Sequence, residues 1–203
     1  MMRLAAVNCT SADSDLDGRV PLRERLVQAA LRLFVANGYQ AVSMRDLARC
    51  VGVQPGSLYY HVQSKEELLV ELLEDTLTEL LHLTRRALSD LTPASARLSA
   101  FLKIYFDFKT DHEDELRLLA QGMSLLSAEA RTGIQALREA YLAELIQVLQ
   151  CLPRSAGIPC DDLARLLLGA LSGQLYWQTP DRELQGFLLQ ALNARFRPQI
   201  SPS

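Results

Sequence analysis

The sequence predicts an all-α fold of about nine helices, and three observations predict it. Apolar side chains recur at three- and four-residue steps in one segment after another, with polar residues between them. Ser, Thr, Asp, Pro and Gly stand at the joints of these segments, where helices start and stop. No run alternates apolar and polar residues as a strand would, and there is no internal repeat or low-complexity block. With 203 residues and 49% apolar side chains the chain can bury a sizeable core, so it is globular rather than disordered.

Residues 1–19 are small and polar and read as a disordered leader. Their apolar run is too short for a signal peptide, and no segment approaches the ~18 apolar residues of a membrane span. The first helix is expected from about Pro21 to the glycine stop at Asn37–Gly38, with Leu22, Leu26, Ala29, Ala30, Leu33 and Phe34 inward. Residues 39–42 form a link. Ser43 can then cap a second helix, with Asp46 three residues on as the reciprocal acid of a capping box. Met44, Leu47, Ala48 and Val51 make its apolar face. Gly52 frees the backbone to turn, Val53 returns to the core, and Pro55 suits the first turn of a third helix. Leu58 faces inward there, while Ser57, Tyr59, Tyr60 and His61 crowd a helix of under two turns. Ser64 and Glu67 repeat the capping box, with Lys65 beside it.

The fourth helix is expected over residues 65–91, lined by Leu69, Leu72, Leu73, Leu77, Leu80, Leu81 and Leu88, and roughly 40 Å long. Thr92-Pro93 ends it and caps the fifth, residues 94–110, with Leu98, Phe101, Leu102, Tyr105 and Phe106 inward. Asp111 starts a short sixth helix through Leu116, Leu119, Ala120 and Met123. Ser127 starts the seventh, with Ile134, Leu137, Tyr141, Leu145, Val148 and Leu149, and Pro153 stops it. The eighth runs from Asp161 to near Trp177, and Thr179-Pro180-Asp181 opens the ninth, with Leu184, Phe187, Leu188, Ala191 and Leu192.

Ser43 to Glu67 meets the requirements of a helix–turn–helix: a pinned first helix, a glycine in the turn, and a second helix offering polar groups near its start. From about Arg23 to Leu69 the chain resembles the DNA-binding domain of the TetR family of bacterial transcriptional regulators. The resemblance is carried by A-A-L-R-L-F-V-A-N-G-Y, D-L-A, G-V, L-Y-Y-H and S-K-E-E-L. Val62 stands where the family more often has phenylalanine. Charge agrees with the resemblance. Residues 19–65 carry seven basic and two acidic side chains, residues 66–203 carry thirteen and nineteen, and the whole chain is at −3. A basic module on an acidic body suits a polyanion met at one end only.

The resemblance implies a DNA-binding domain over residues 20–65 and an effector-binding and dimerisation domain over residues 66–203. It implies double-stranded operator DNA and a second copy of the chain as partners, a cytoplasmic location, and neither enzymatic activity nor a cofactor. No Gly-rich phosphate loop, metal-ligand spacing or nucleophile elbow argues otherwise. The four cysteines lack CxxC spacing and read as reduced thiols.

The candidate DNA-contacting residues are Ser43, Arg45, Gln54, Pro55, Gly56, Ser57, Tyr59, Tyr60, His61 and Lys65. Arg45 lies outside the apolar stripe of its helix, and its planar fork matches guanine O6 and N7, although a phosphate contact or a solvated arginine is also compatible. Gly56 lets backbone approach a duplex closely. Tyr59, Tyr60 and His61 are consecutive and point in different directions, so they cannot all be core groups. The family pattern places Tyr59, His61 and Lys65 on phosphates. A lysine at a helix N-terminus opposes the dipole, which a phosphate would relieve.

In the body the resemblance implies an effector pocket among helices four to eight. The candidates are His82, Phe101, Tyr105, Gln121, Leu137, Tyr141, Gln174 and Trp177, with Lys109 as a further polar group; each could instead be a surface or satisfied core group. The abundance of Leu and Phe favours an apolar ligand with a few polar anchors. R-E-A-Y in the seventh helix and Y-W-Q-T-P after the eighth are similar to family members that sense acyl or CoA-thioester metabolites. Gly169, Ala170, Ser172 and Gly173 put small residues on the eighth helix. Helical glycine costs about 1 kcal/mol against alanine, which close packing would offset. The family pairs the last two helices of each subunit, so Gly169, Gly173, Leu184, Phe187 and Leu188 are the candidate dimer interface, with packing inside the chain as the alternative. The implied protein is a homodimeric repressor released from its operator by a small hydrophobic effector: an acyl group, an acyl-CoA or an aromatic acid. The alternative is a DNA-bound architectural or protein-partner module without a small-molecule switch.

Overall fold

Ser43 caps its helix as the pattern requires: its hydroxyl accepts from the Asp46 N–H, and the Asp46 carboxylate accepts from the Ser43 N–H at 3.0 Å. In the computed structural model, which describes residues 20–152, 159–177 and 181–195, this cap opens the second of nine α-helices among the described residues; the side chains of residues 174–177 and 192–195 are not described. The helices are α1 Leu22–Asn37, α2 Met44–Cys50, α3 Pro55–Leu58, α4 Lys65–Leu88, α5 Ala94–Asp111, α6 Glu113–Gly122, α7 Ala128–Gln150, α8 Cys160–Trp177 and α9 Asp181–Arg195. No strand occurs among the described residues. The expected leader, the loop after Pro153 and the Thr179-Pro180 start of the last helix lie outside them.

The joints behave as their residues dictate. Gly38 and Gly52 adopt φ of 82° and 74°, a region that costs other residues energy, and these two positions turn the chain out of α1 and α2. Val62 is fully buried, so a smaller apolar residue fills the site where the family more often carries phenylalanine. The second capping box is only half formed. Ser64 accepts from the Glu67 N–H, but the Glu67 carboxylate reaches past it to the Gln63 N–H at 2.9 Å because it is also drawn to Arg23. Pro93, not Thr92, occupies the cap position of α5, with no side-chain hydrogen bond. In α6, Leu116 is buried and Leu119 and Met123 pack on the core as expected, but Ala120 is exposed and Leu118 is buried as well, packed with the head cluster. Cys50 is disulfide-bonded, against the expectation of reduced thiols, whereas Cys151 and Cys160 are free.

Two apolar clusters make the core. One joins α1, α2, α3 and the first half of α4 and extends into the body through Leu118, Leu126 and Ile134. The other joins the second half of α4 to α5, α7, α8 and α9. α4 changes allegiance between Leu77 and Leu80, twelve residues or more beyond the expected domain boundary at residue 65. Its 24 residues span about 36 Å, so one rigid rod serves both cores. The body grips the head end of this rod. A Cβ built on Gly122 would lie 2.6 Å from Leu73 Cδ1, and the Ser127 N–H donates to the Glu66 carboxylate at 2.6 Å. Among the described residues, no helix is long and apolar enough to cross a membrane.

Candidate nucleic-acid interface and effector core

α3 is a single turn whose Leu58 is buried, which leaves the rest of it facing solvent. Gln54, Pro55, Gly56, Ser57, Tyr59, Tyr60 and His61 are all exposed, and so is Arg45 on the first turn of α2. Tyr59 and Tyr60 are 56% and 90% exposed, so neither ring is a core group. No described residue lies within 4 Å of a Cβ built on Gly56, so packing among the described residues does not demand glycine there. The Ser43 hydroxyl also donates to Asp46, whose carboxyl is held below the usual range by these Ser43 hydrogen bonds.

Lys65, expected on phosphate, has a place in the fold itself. Its ammonium donates to the Tyr39 carbonyl at 2.8 Å and the Val42 carbonyl at 3.0 Å, and sits 4.3 Å from the centre of the Tyr39 ring. It clasps the turn between α1 and α2 to the start of α4, because carbonyls of that turn converge on it. Arg23 makes a second clasp from α1, to the His61 carbonyl at 2.7 Å and to Glu67 and Glu71 at 2.9 and 2.8 Å. Hydrogen bonds from the Gln63 N–H and from Arg23 hold the Glu67 carboxyl below its ordinary range. Arg25 donates to the Val51 carbonyl at 2.6 Å. Three of the seven basic groups counted in this module therefore serve the fold, and Arg32, Arg45 and Arg49 carry its exposed positive charge among the described residues. Lys65→Met is expected to lower the stability of the head by about 1–3 kcal/mol, because it strands carbonyls that the ammonium satisfies. Hydrogen exchange of the α1–α2 amides reads this directly, and unchanged protection would return Lys65 to the phosphate-contact class.

In the body, Phe101, Tyr105 and Tyr141 are buried together, with the Phe101 and Tyr141 rings 5.2 Å apart. His82 and Gln121 are exposed and do not join them. His82 lies one position past the stripe of Leu77, Leu80 and Leu81, and a 100° step carries it out of the core. Leu137 packs with the head-side cluster rather than with Phe101. The side chains of Gln174 and Trp177 lie outside the described residues. Thr84 was missed by the sequence reasoning. It follows Leu80 and Leu81 at helical spacing, and that periodicity was the signal for a hydroxyl turned into the core. Thr84 is fully buried; its Oγ1 and the Tyr141 Oη are neighbours, and neither makes a well-formed hydrogen bond. Burial pushes the Tyr141 and Tyr105 phenols upward, and the neighbouring Thr84 hydroxyl offsets this only in part at Tyr141. Lys109, four residues after Tyr105, is buried and paired with Asp181 of α9 at 2.6 Å.

On α8 and α9 the small-residue face is open. No described residue comes within 4 Å of a Cβ built on Gly169 or Gly173. Leu166, on the same face, is 61% exposed, and Phe187 of α9 is 65% exposed. Leu188 is buried and Leu184 packs on the chain's own core, so those two candidates serve intrachain packing.

A capped helix, a glycine turn and an exposed single-turn helix, all clasped to one long rod, define a helix–turn–helix DNA-binding protein. Residues 26–72 match the family model for bacterial regulatory proteins of the tetR family. The head of the chain is a DNA-binding domain of the TetR family of transcriptional regulators. It is 27% identical over 173 residues to the HTH-type transcriptional activator FasR of Mycolicibacterium smegmatis, covering 82% of this chain and 78% of that protein. It is 33% identical over 85 residues to the HTH-type transcriptional repressor KstR2 of the same organism, covering 42% of each. The fold is similar to that of AibR solved in complex with isovaleryl coenzyme A and operator DNA, with a TM-score of 0.74 and 21% identity over 88% of this chain and 100% of that one.

Proposed function

We propose that the protein is a homodimeric repressor that binds a near-palindromic operator and releases it when a small hydrophobic effector enters the body. The observation that carries the proposal is the dual membership of α4, whose Leu68–Leu77 half packs in the head core and whose Leu80–Leu88 half packs in the body core. A ligand shifts such a rod only by binding one position of it better than the other. A thousandfold preference is about 4 kcal/mol, which burial of on the order of 160 Å² of additional apolar surface supplies at ~25 cal/mol per Å². One acyl chain or aromatic ring is of that size. The AibR complex is a precedent for a ligand and operator DNA on this fold. FasR is named an activator and KstR2 a repressor, so the same assay must score gain as well as loss of DNA binding.

The test is selection of an operator from random double-stranded DNA, followed by titration of the complex with fatty acids, acyl-CoAs and aromatic acids. Release by at least one class is the expected result. No change with any of them favours the partner-module alternative. Within that assay, Arg45→Ala is expected to relax the preference at one operator position and to weaken operator binding by about 1–3 kcal/mol. Equal loss on operator and random DNA would move Arg45 to the phosphate class.

A further inference from the structure

We propose that the Thr84 and Tyr141 hydroxyls are the polar anchor of the effector site and that they take a neutral carbonyl oxygen on an apolar skeleton, a thioester or a ketone, rather than a carboxylate. The inference rests on the ligand-responsive reading above and names the chemistry of that site. The two hydroxyls, one from α4 and one from α7, are buried next to each other, neither makes a well-formed hydrogen bond, and the described buried residues clustered around Tyr141 are mostly hydrocarbon or aromatic. Buried polar groups in folded proteins are nearly always paired, so a poorly bonded couple facing one core is explained by a group that arrives later. A carbonyl oxygen has two lone pairs and accepts from both hydroxyls at once. Tyr141 stays protonated as a donor, since burial raises its pKa.

Charge decides against a carboxylate. Lys109 is the one charged residue buried as a whole among the described residues, and Asp181 already neutralises it at 2.6 Å; the buried Nε of Arg97 stands at the other end of the same α5 face, four residues before Phe101. A carboxylate held by the two neutral hydroxyls alone would be a buried charge without a counter-ion, which is far more costly than a buried carbonyl. Phe101, Tyr105 and Lys109 follow one another at four-residue steps on α5, so the apolar skeleton has an aromatic wall running from the anchor toward α9. Thr84 also lies on the rod that the two cores share, so a ligand held there acts directly on the element that carries the head.

The experiment is thermal unfolding of the full chain with N-acetylcysteamine thioesters, straight-chain 2-ketones and free fatty acids of matched length, for wild type, Tyr141→Phe and Thr84→Val. The neutral carbonyl probes are expected to raise the wild-type Tm, the thioester and ketone arms telling the two sources apart, while the matched acids leave it unchanged. Each variant is expected to melt no lower than wild type without ligand, because it removes a hydroxyl without a well-formed hydrogen bond, and to bind the active probe about tenfold more weakly. Wild-type-like binding by both variants would overturn the anchor while leaving the ligand-responsive reading intact. Acids as effective as thioesters would overturn the carbonyl preference. Silence of every probe on wild type, in Tm and in operator release, would overturn the proposal together with the reading it rests on.

Discussion

Gly173→Leu is expected to convert the protein to a monomer and to weaken operator binding by about a hundredfold or more, through loss of the second half-site. Among the described residues the substitution meets no obstacle, because none lies within 4 Å of a Cβ at this position. Leucine is also a better helix former than glycine, so α8 itself should be slightly favoured. A large effect on association is therefore the signature of a second copy packed on this face. Leu166, Gly169 and Gly173 fall on one face of α8 at seven- and four-residue spacing, and Phe187 of α9 is exposed as well. An apolar face with bare glycines admits close approach of a second pair of helices, and a leucine at its centre forces them apart. Sedimentation velocity with an unchanged helical circular-dichroism signal is the check. An intact dimer would place Gly173 away from the interface.

Phe101→Ala is expected to lower the unfolding free energy by about 3–5 kcal/mol, a large part of the stability of a domain this size. The ring is fully buried between α5 and α7 and lies 5.2 Å from the Tyr141 ring. Its removal leaves a void walled by helices that are pinned elsewhere, so collapse around it is limited. Urea unfolding should show a lower midpoint with an unchanged slope. A loss below ~1 kcal/mol would mean that the core closes over the gap, and the aromatic wall assigned to the effector site would then be dispensable.

The helices were legible because their signals are local. Ser43 with Asp46, Ser127, Pro55, and the glycines at 38 and 52 act on backbone groups a few residues away, and the apolar stripes of α1, α4 and α5 repeat with the helical period. Exposure of Arg45 and of the α3 residues followed from the same reasoning, since only Leu58 faces inward on a one-turn helix. The effector core was less legible. His82 and Gln121 drew notice for their chemistry but point to solvent, while Thr84, an unremarked threonine in a leucine stripe, holds a buried hydroxyl without a well-formed hydrogen bond.

By itself, then, the sequence determined the helical class, the helix–turn–helix and the family, because caps, turns and amphipathic periods are properties of short stretches. Only the tertiary structure decided the employment of the charges and the site of the division between cores. Lys65 was expected on phosphate and closes on the carbonyls of the α1–α2 turn, and Arg23 spans from α1 to α4. The division between the two cores falls inside α4, whose first half packs with the head and whose second half packs with the body. A long cationic side chain can reach water, phosphate or a carbonyl with equal ease. Its choice depends on which unsatisfied groups the packed helices bring within a few ångströms, and no short stretch of sequence contains that information.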